Sequence, residues 1–399
     1  MHVVKLLHDL FDNACTSIDK RLRRALFDAV EALTRCKQLS IASIGRSLDR
    51  SAQIKHTIKC MDRLFGNQAL HQKRNAIYNH MTKHLLKGNR KPVILVDWSG
   101  LTPCGAFHIL NASIAIHGRS LTLYNEVFSQ KEFTKEKTHL AFLRSLKEML
   151  PENCTPIIVT DAGFRNTWFR AVSKMGWTFL GRVRNNTQYS WFGHSHWFPI
   201  KSLYEKATAK AEYIGRVLLA RSSPLDCHFY IVKQKHKKRS KKNLMGKKAQ
   251  SSVSKKHAKS ANEPWLIASN LSPDEIFAEN IINIYQKRMQ IEELFRDLKN
   301  TRNGLGLRHC KSFTLERLNI ALLIGTLAML VLWIFGMAIK KTNSHHSFQS
   351  NTIRERNVLS VVIIGWQALM RKMKFRKKDC IASLEYIVSI TISGVDYVK

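Results

Sequence analysis

The stretch from residue 320 to residue 339 contains no charged side chain. About 20 apolar residues suffice to cross a bilayer, and equally to make one fully buried helix of a large domain. The run therefore leaves the chain two ways to fold. Gly325, Thr326, Ala328 and Gly336 within it are small residues of the kind found where helices pack closely. A charged helical segment lies just upstream and no second span accompanies it, so a buried core helix is the expected outcome. A chain of 399 residues is long enough for such a core and for two to four domains.

Two short β-branched runs, Val93-Ile94-Leu95-Val96 and Ile157-Ile158-Val159-Thr160, each follow a proline and each end on an aspartate, Asp97 and Asp161. They read as buried strands. A carboxylate at the carboxyl end of a buried strand stands where α/β sheets bind ligands. The plainer reading of either aspartate alone is a turn or helix cap. Between the two runs, strand 107–116, a His117-Gly118-Arg119-Ser120 turn and strand 121–128 form an antiparallel hairpin. Helix 138–150 leads into the second run; helix 166–175 and strand 178–183 follow it.

A third carboxylate sits in a helical pattern. Tyr285, Arg288, Glu292 and Lys299 fall within roughly a 60° arc of one helix face at about 100° per residue. Ile284, Ile291, Leu294, Phe295 and Leu298 form the adjoining apolar stripe, while Glu293 and Asp297 lie well off the polar one. A carboxylate flanked by fixed cations suits a metal-and-phosphate site. An amphipathic surface helix with an ion-pair pattern is the plainer alternative.

Charge favours a polyanionic partner. Lys and Arg total 65 against 29 Asp and Glu, a formal net charge of +36. Nucleic acid is the first candidate and an anionic membrane surface the second. The eight cysteines include no C-x-x-C pair, which argues against a zinc ribbon and for free thiols in a reducing cytosol. His345-His346 reads as a solvated loop pair. The N-terminus, with Asp9, Asp12 and Asp19, reads as an amphipathic helix rather than a secretory leader. Segments 39–48 and 51–65 suggest a helix-turn-helix-like unit, with Arg50, Lys55, His56, Lys59 and Arg63 outward. An ordinary helical bundle with basic faces is the alternative.

Taken together, Asp97, Asp161 and Glu292 with Tyr285, Arg288 and Lys299 resemble the DDE transposases of bacterial insertion sequences. The closer resemblance is to the cut-and-paste branch with the signature Y-x2-R-x3-E-x6-K, matched here without a gap. The VDWSG context of Asp97 and the TDAGF context of Asp161 look like the same family. The element order β-β-β-α-β-α-β resembles a ribonuclease H-like domain, in which the first and fourth strands are adjacent and parallel. The implied fold class is α/β: a ribonuclease H-like catalytic domain with a β-rich insertion, preceded by an α-helical DNA-binding domain and followed by a helical C-terminal region.

The expected layout is a DNA-end-binding domain over 1–86, a linker at 87–92, and a catalytic domain over 90–185 and 264–345. An insertion with strands 212–220 and 227–232 occupies 186–263, and a helical region covers 346–399, basic around 371–378. The run 233–259 holds 12 Lys or Arg and no acid, and reads as a loop on DNA phosphates or as a solvated charge run. Trp265 matches a tryptophan that stacks on an extruded base in similar hairpin-forming enzymes; a core tryptophan is the alternative.

The implied chemistry follows from charge. Three convergent carboxylates repel one another unless cations lie between them. Two Mg²⁺ ions about 3.5–4 Å apart, with Mn²⁺ able to substitute, meet that need and serve phosphodiester chemistry. By the resemblance, Asp97 bridges the metals and Asp161 and Glu292 each complete one site. Tyr285, Arg288 and Lys299 contact DNA phosphates. The implied partners are double-stranded DNA, as element ends and target, and a second copy in a synaptic homodimer. The implied setting is cytoplasmic, nucleoid-associated and away from membranes. A catalytically inactive DNA-binding remnant, another metal-dependent nuclease, a tyrosine recombinase using Tyr285 and a single-span membrane protein are the alternatives.

Overall fold

The computed structural model describes all residues except 1, 12–17, 103, 235–250, 253, 255–261, 313, 351, 354–355, 357 and 393–399. In chain order it begins with helices α1 (Val3–Phe11), α2 (Lys20–Cys36), α3 (Ile41–Arg46), α4 (Ile54–Phe65) and α5 (Gln68–Leu85). Strands β1 (Val93–Gly100), β2 (Phe107–Ile116) and β3 (Arg119–Ser129) lead to α6 (Glu136–Met149). Next come β4 (Ile157–Thr160), α7 (Asn166–Lys174), β5 (Thr178–Val183), β6 (Gln188–Trp191) and β7 (Phe198–Pro199). They are followed by β8 (Glu212–Leu219), β9 (Leu225–Val232), β10 (Trp265–Ser269) and α8 (Ala278–Gln286). The last helices are α9 (Met289–Lys299), α10 (Leu315–Lys341), α11 (Val361–Met370) and α12 (Lys377–Ile392). The architecture is mixed α/β and divides into two compact units. Unit 1 holds Met1–Cys154 and Met289–Gly394; unit 2 holds Thr155–Arg288.

In unit 1, side-chain caps set several helix starts. Asp19 accepts from Arg21 and Leu22 at the start of α2, Ser40 from Ser43 at α3, and Asn67 from Leu70 at α5. Arg50, Lys55, His56, Lys59 and Arg63 are exposed, as their pattern predicts, and Arg50 pairs with Asp28 at 2.6 Å. Strands β1, β2 and β3 form an antiparallel meander that sets Asp97 opposite Asn111. The β2–β3 turn is tighter than the four-residue turn the sequence suggests. Ile116 already pairs with Arg119, leaving a two-residue turn of His117 and Gly118, both at positive φ (44° and 79°). That geometry matches the strand twist, and it draws Arg119 and Ser120 into β3.

Helix α10 contains the uncharged run, and protein covers it. It packs among β3, α2, α5, α11 and α12, and every residue from Leu318 to Ile339 is buried. Asn319 and Thr326 in that span bond inward. Asn319 accepts from the Val127 amide at 3.0 Å, and Thr326 accepts from Asn125 at 3.2 Å. Asn125 in turn accepts from the Tyr78 hydroxyl at 2.9 Å. Such pairing is what makes buried polar groups tolerable.

Three other sequence expectations change. His345 is buried in a 3₁₀ turn packed on α10 and α11, with its ring 4.1 Å from that of His346, so the pair is not a freely solvated one. Asn89, in the segment read as a linker, is buried and donates to the Thr391 carbonyl on α12. The basic stretch around 371–376 is non-helical and separates α11 from α12. The seven described cysteines are all free.

In unit 2, β4 runs parallel to β5, and from β5 onward the neighbours are antiparallel, in the order β4-β5-β10-β9-β8-β6-β7. The predicted strands at 212–220 and 227–232 appear as β8 and β9. Most of the basic run 233–259 lies outside the described residues.

Candidate active site

The signature residues do not ride on one continuous helix. The Lys287 and Arg288 amides bond three residues back, to Ile284 at 3.1 Å and Tyr285 at 3.0 Å, and the α-helical ladder lapses there. Tyr285 therefore belongs to α8, Arg288 to the joint, and Glu292 and Lys299 to α9. No glycine or proline marks the joint, and the apolar periodicity runs through it, so local pattern carries no sign of the break.

Unit 1 holds Asp97 on β1 and Glu292 and Lys299 on α9. Strand β1 is buried through Val96 and emerges at Asp97. Helix α9 lays its apolar face (Ile291, Leu294, Phe295, Leu298, all buried) against the meander and leaves Glu292 exposed. The Lys299 ammonium donates to Ser99 Oγ and to the Gly100 carbonyl, both at 2.5 Å, fastening the end of α9 to the end of β1. Burial, with Arg308 nearby, draws the Lys299 amine down to about 8, and the Asp97 carboxylate opposes that shift.

Behind Asp97 stands a group that local pattern does not announce. The Trp98 ring packs edge-on against Phe128 (5.5 Å) and Phe133 (5.1 Å). Its indole N–H donates to His139 Nε2 at 3.1 Å. An indole only donates, so that nitrogen is unprotonated. Burial holds the His139 imidazole far below its ordinary value, at about 4. A base whose folded pKa is depressed stabilises fully above its unfolded pKa, and that stability fades as pH falls toward the folded value. The window here is pH 6.5 down to 4. Between pH 7 and 5 the wild type should lose about 2 kcal/mol more stability than His139→Gln, measured by urea unfolding at both pH values. Parallel curves for the two proteins would rule this out.

Asp297, set aside in the helical pattern, is buried. Its carboxylate lies 3.0 Å from Arg119 Nε, and Glu293 lies 2.6 Å from Arg119 Nη1. Burial raises the Asp297 carboxyl to about 6 against the pull of Arg119.

Unit 2 holds Asp161, Trp265, Tyr285 and Arg288. Asp161 leaves β4 half-buried, and its Oδ1 accepts from the Gly163 amide at 2.8 Å. It is thus also the turn residue of the plainer reading. The adjoining cleft, about 880 Å³, is lined by Arg165, Arg182, Arg184 and Arg221, with Asn166 and Asn185 among its amides. Trp265 opens β10 half-buried. The buried Tyr285 ring meets it edge-on at 5.1 Å, and the Arg182 guanidinium lies 6.0 Å from its ring centre. Arg182 is itself fixed by the Glu263 and Pro264 carbonyls, at 3.1 and 3.3 Å.

Carboxylate oxygens are the donors that hard divalent cations such as Mg²⁺ and Mn²⁺ prefer, so Asp97, Glu292 and Asp161 suit them chemically. Among the described residues, no three His, Cys, Asp or Glu side chains are already gathered as a metal cluster.

No curated protein matches the chain. Residues 88–331 match the family described as "Transposase DDE domain", and they contain every residue placed above in or beside the site. With more than half of its length within that family's domain, the chain belongs to the DDE-domain transposases.

Proposed function

We propose that this transposase excises an insertion sequence at its terminal inverted repeats and joins it to target DNA. In this reading Asp97, Asp161 and Glu292 hold the catalytic cations. Family membership supports metal-dependent phosphodiester chemistry on DNA. The observation that carries the residue assignment is the Lys299 tie, which fixes the helix bearing Glu292 against the strand bearing Asp97. Bound Mg²⁺ or Mn²⁺ would supply Lewis-acid activation of the attacking oxygen and stabilisation of the leaving one.

The chain's own groups bind and orient. With a pKa of about 8, Lys299 is mainly cationic at neutral pH and offers charge to a phosphate beside Asp97. Arg288 adds a planar fork for phosphate oxygens, and Tyr285 braces the Trp265 ring that would stack on an extruded base. The arginine-lined cleft beside Asp161 suits the backbone of a single strand. In nicking, a water oxygen attacks phosphorus, the P–O3′ bond breaks, and a 3′-hydroxyl is released. In transfer that hydroxyl attacks a target phosphodiester. Only the nucleophile changes, so one site serves both steps, and hairpin ends arise if the attacked strand is the opposite one of the same end.

The meander β1–β3 followed by α6, β4, α7 and a parallel β5 supports a ribonuclease H-like reading of 90–185 with 264–345. The exposed Lys55, His56, Lys59 and Arg63 of α4 support end recognition by 1–86. Holding two ends at once calls for a homodimer, working on the nucleoid in the cytoplasm.

The test is cleavage of DNA carrying the element's ends by wild type and Glu292→Ala, in Mg²⁺, in Mn²⁺ and in EDTA. Wild type should cut at the ends only with metal, and the variant should bind without cutting. Binding without cleavage by folded wild-type protein would overturn the proposal in favour of an inactive DNA-binding remnant.

A further inference from the structure

We infer that Arg119 is a positioning residue for Glu292: it clamps Glu293 and Asp297 and so sets the roll of α9 on the β1–β3 meander. The inference rests on Glu292 being catalytic, as proposed above.

The geometry begins with the hairpin. The two-residue turn at His117-Gly118 puts Arg119 at the first position of β3, at one edge of the meander. From there Nη1 reaches Glu293 Oε2 at 2.6 Å, and Nε reaches Asp297 Oδ2 at 3.0 Å. The first is an aligned hydrogen bond. The second is an ion contact, since among the described residues neither atom has a hydrogen-bond partner. Asp297 and Arg119 are 9% and 22% exposed, so water screens this pair only partly.

The helix is thus held from two edges of the meander, with Ser120 Oγ also donating to the Gln290 carbonyl at 3.4 Å. On the β1 edge, Lys299 is bonded to Ser99 and Gly100. On the β3 edge, Arg119 holds the middle of α9. At about 100° per residue, Glu293 and Asp297 lie about 100° and 140° round the axis from Glu292, whereas Lys299 lies about 20° from it on the other side. Ties on both flanks of Glu292 resist rotation in either sense, which an apolar face alone resists weakly. With side chains about 6 Å from the axis, a roll of about 20° would carry the Glu292 carboxylate about 2 Å. Displacement by about 1 Å can lower a rate about a hundredfold.

Arg119 touches no reacting group, so its loss should strike turnover rather than DNA affinity. Arg119→Gln should lower kcat for end cleavage about 10- to 100-fold with KM for end DNA within about twofold. Arg119→Lys, a single cation in place of the fork, should recover part of that loss. Glu293→Gln removes the less buried arm and serves if Arg119→Gln does not fold; it should lower kcat about threefold or more. Unchanged kcat in folded variants, or a fall in kcat matched by a rise in KM, would overturn the clamp. If wild type itself does not cut, the transposase proposal has failed, and the clamp is read by amide hydrogen exchange over 289–299. About tenfold faster exchange in Arg119→Gln upholds it, and unchanged exchange overturns it.

Discussion

Asp97→Asn should lower end cleavage on the order of a thousandfold or more, with binding to the same DNA unchanged within a few-fold. Losses of that size follow when one member of a set acting as a unit is removed. The substitution is nearly isosteric. The Trp98 amide, which bonds Asp97 Oδ1 at 2.8 Å, finds the same acceptor in an asparagine carbonyl. The β1 register against β2 is a backbone feature and stays in place. What disappears is one negative charge facing Lys299 and any bound cation. Loss of cleavage would therefore report on chemistry rather than folding. Glu152→Gln, an exposed carboxylate in the turn between α6 and β4, should cut at the wild-type rate. Single-turnover cleavage and electrophoretic mobility shifts on the same duplex separate the two effects. Asp97→Asn within tenfold of wild type would remove Asp97 from the site.

The second large effect concerns the core. Gly336→Ala should destabilise unit 1 by about 3 kcal/mol or more, and Gly325→Ala, on the same helix, should stay within about 1 kcal/mol of wild type. Both glycines face inward from α10, but they face different neighbours. A Cβ on Gly336 would lie 2.1 Å from the Val361 carbonyl oxygen. Reciprocally, a Cβ on Gly365 would lie 2.0 Å from the Leu332 carbonyl oxygen. The backbones of α10 and α11 meet there, so a methyl group could fit only if the helices parted. At Gly325 the nearest atoms are the Leu298 and Leu39 methyl groups, at 3.2 and 3.4 Å, and side chains can yield by that amount. The gain in helix propensity of about 1 kcal/mol for replacing glycine offsets the smaller cost only. Thermal unfolding would show a fall in Tm of roughly 6–12 °C for Gly336→Ala. Equal Tm values for the two variants would contradict this account of the α10–α11 packing.

Much of the framework was legible in the residue pattern. Strands β1 and β4 follow from short β-branched runs, and Asp97 and Asp161 from their place at the ends of those two. The uncharged run announced a helix needing cover on all sides, and α10 has it. The apolar stripe of Ile291, Leu294, Phe295 and Leu298 marked the face on which α9 rests. These features are local: they depend on propensity and periodicity over a few residues, which the order of the chain contains directly.

What the order of the chain left open is what depends on distant partners. One stripe became two helices at Lys287-Arg288, although no helix-breaking residue stands there. Asp297 lies off the polar stripe of the helical pattern, and its burial against Arg119, far off in sequence, comes from the fold alone. His139 acquired its neutral state from burial beneath Trp98. The cover over α10 proved to be protein, with Asn125 and Val127 of β3 bonded to its polar groups. In each case the deciding term is an electrostatic or steric contact between elements, and its energy exists only once packing has brought those elements together.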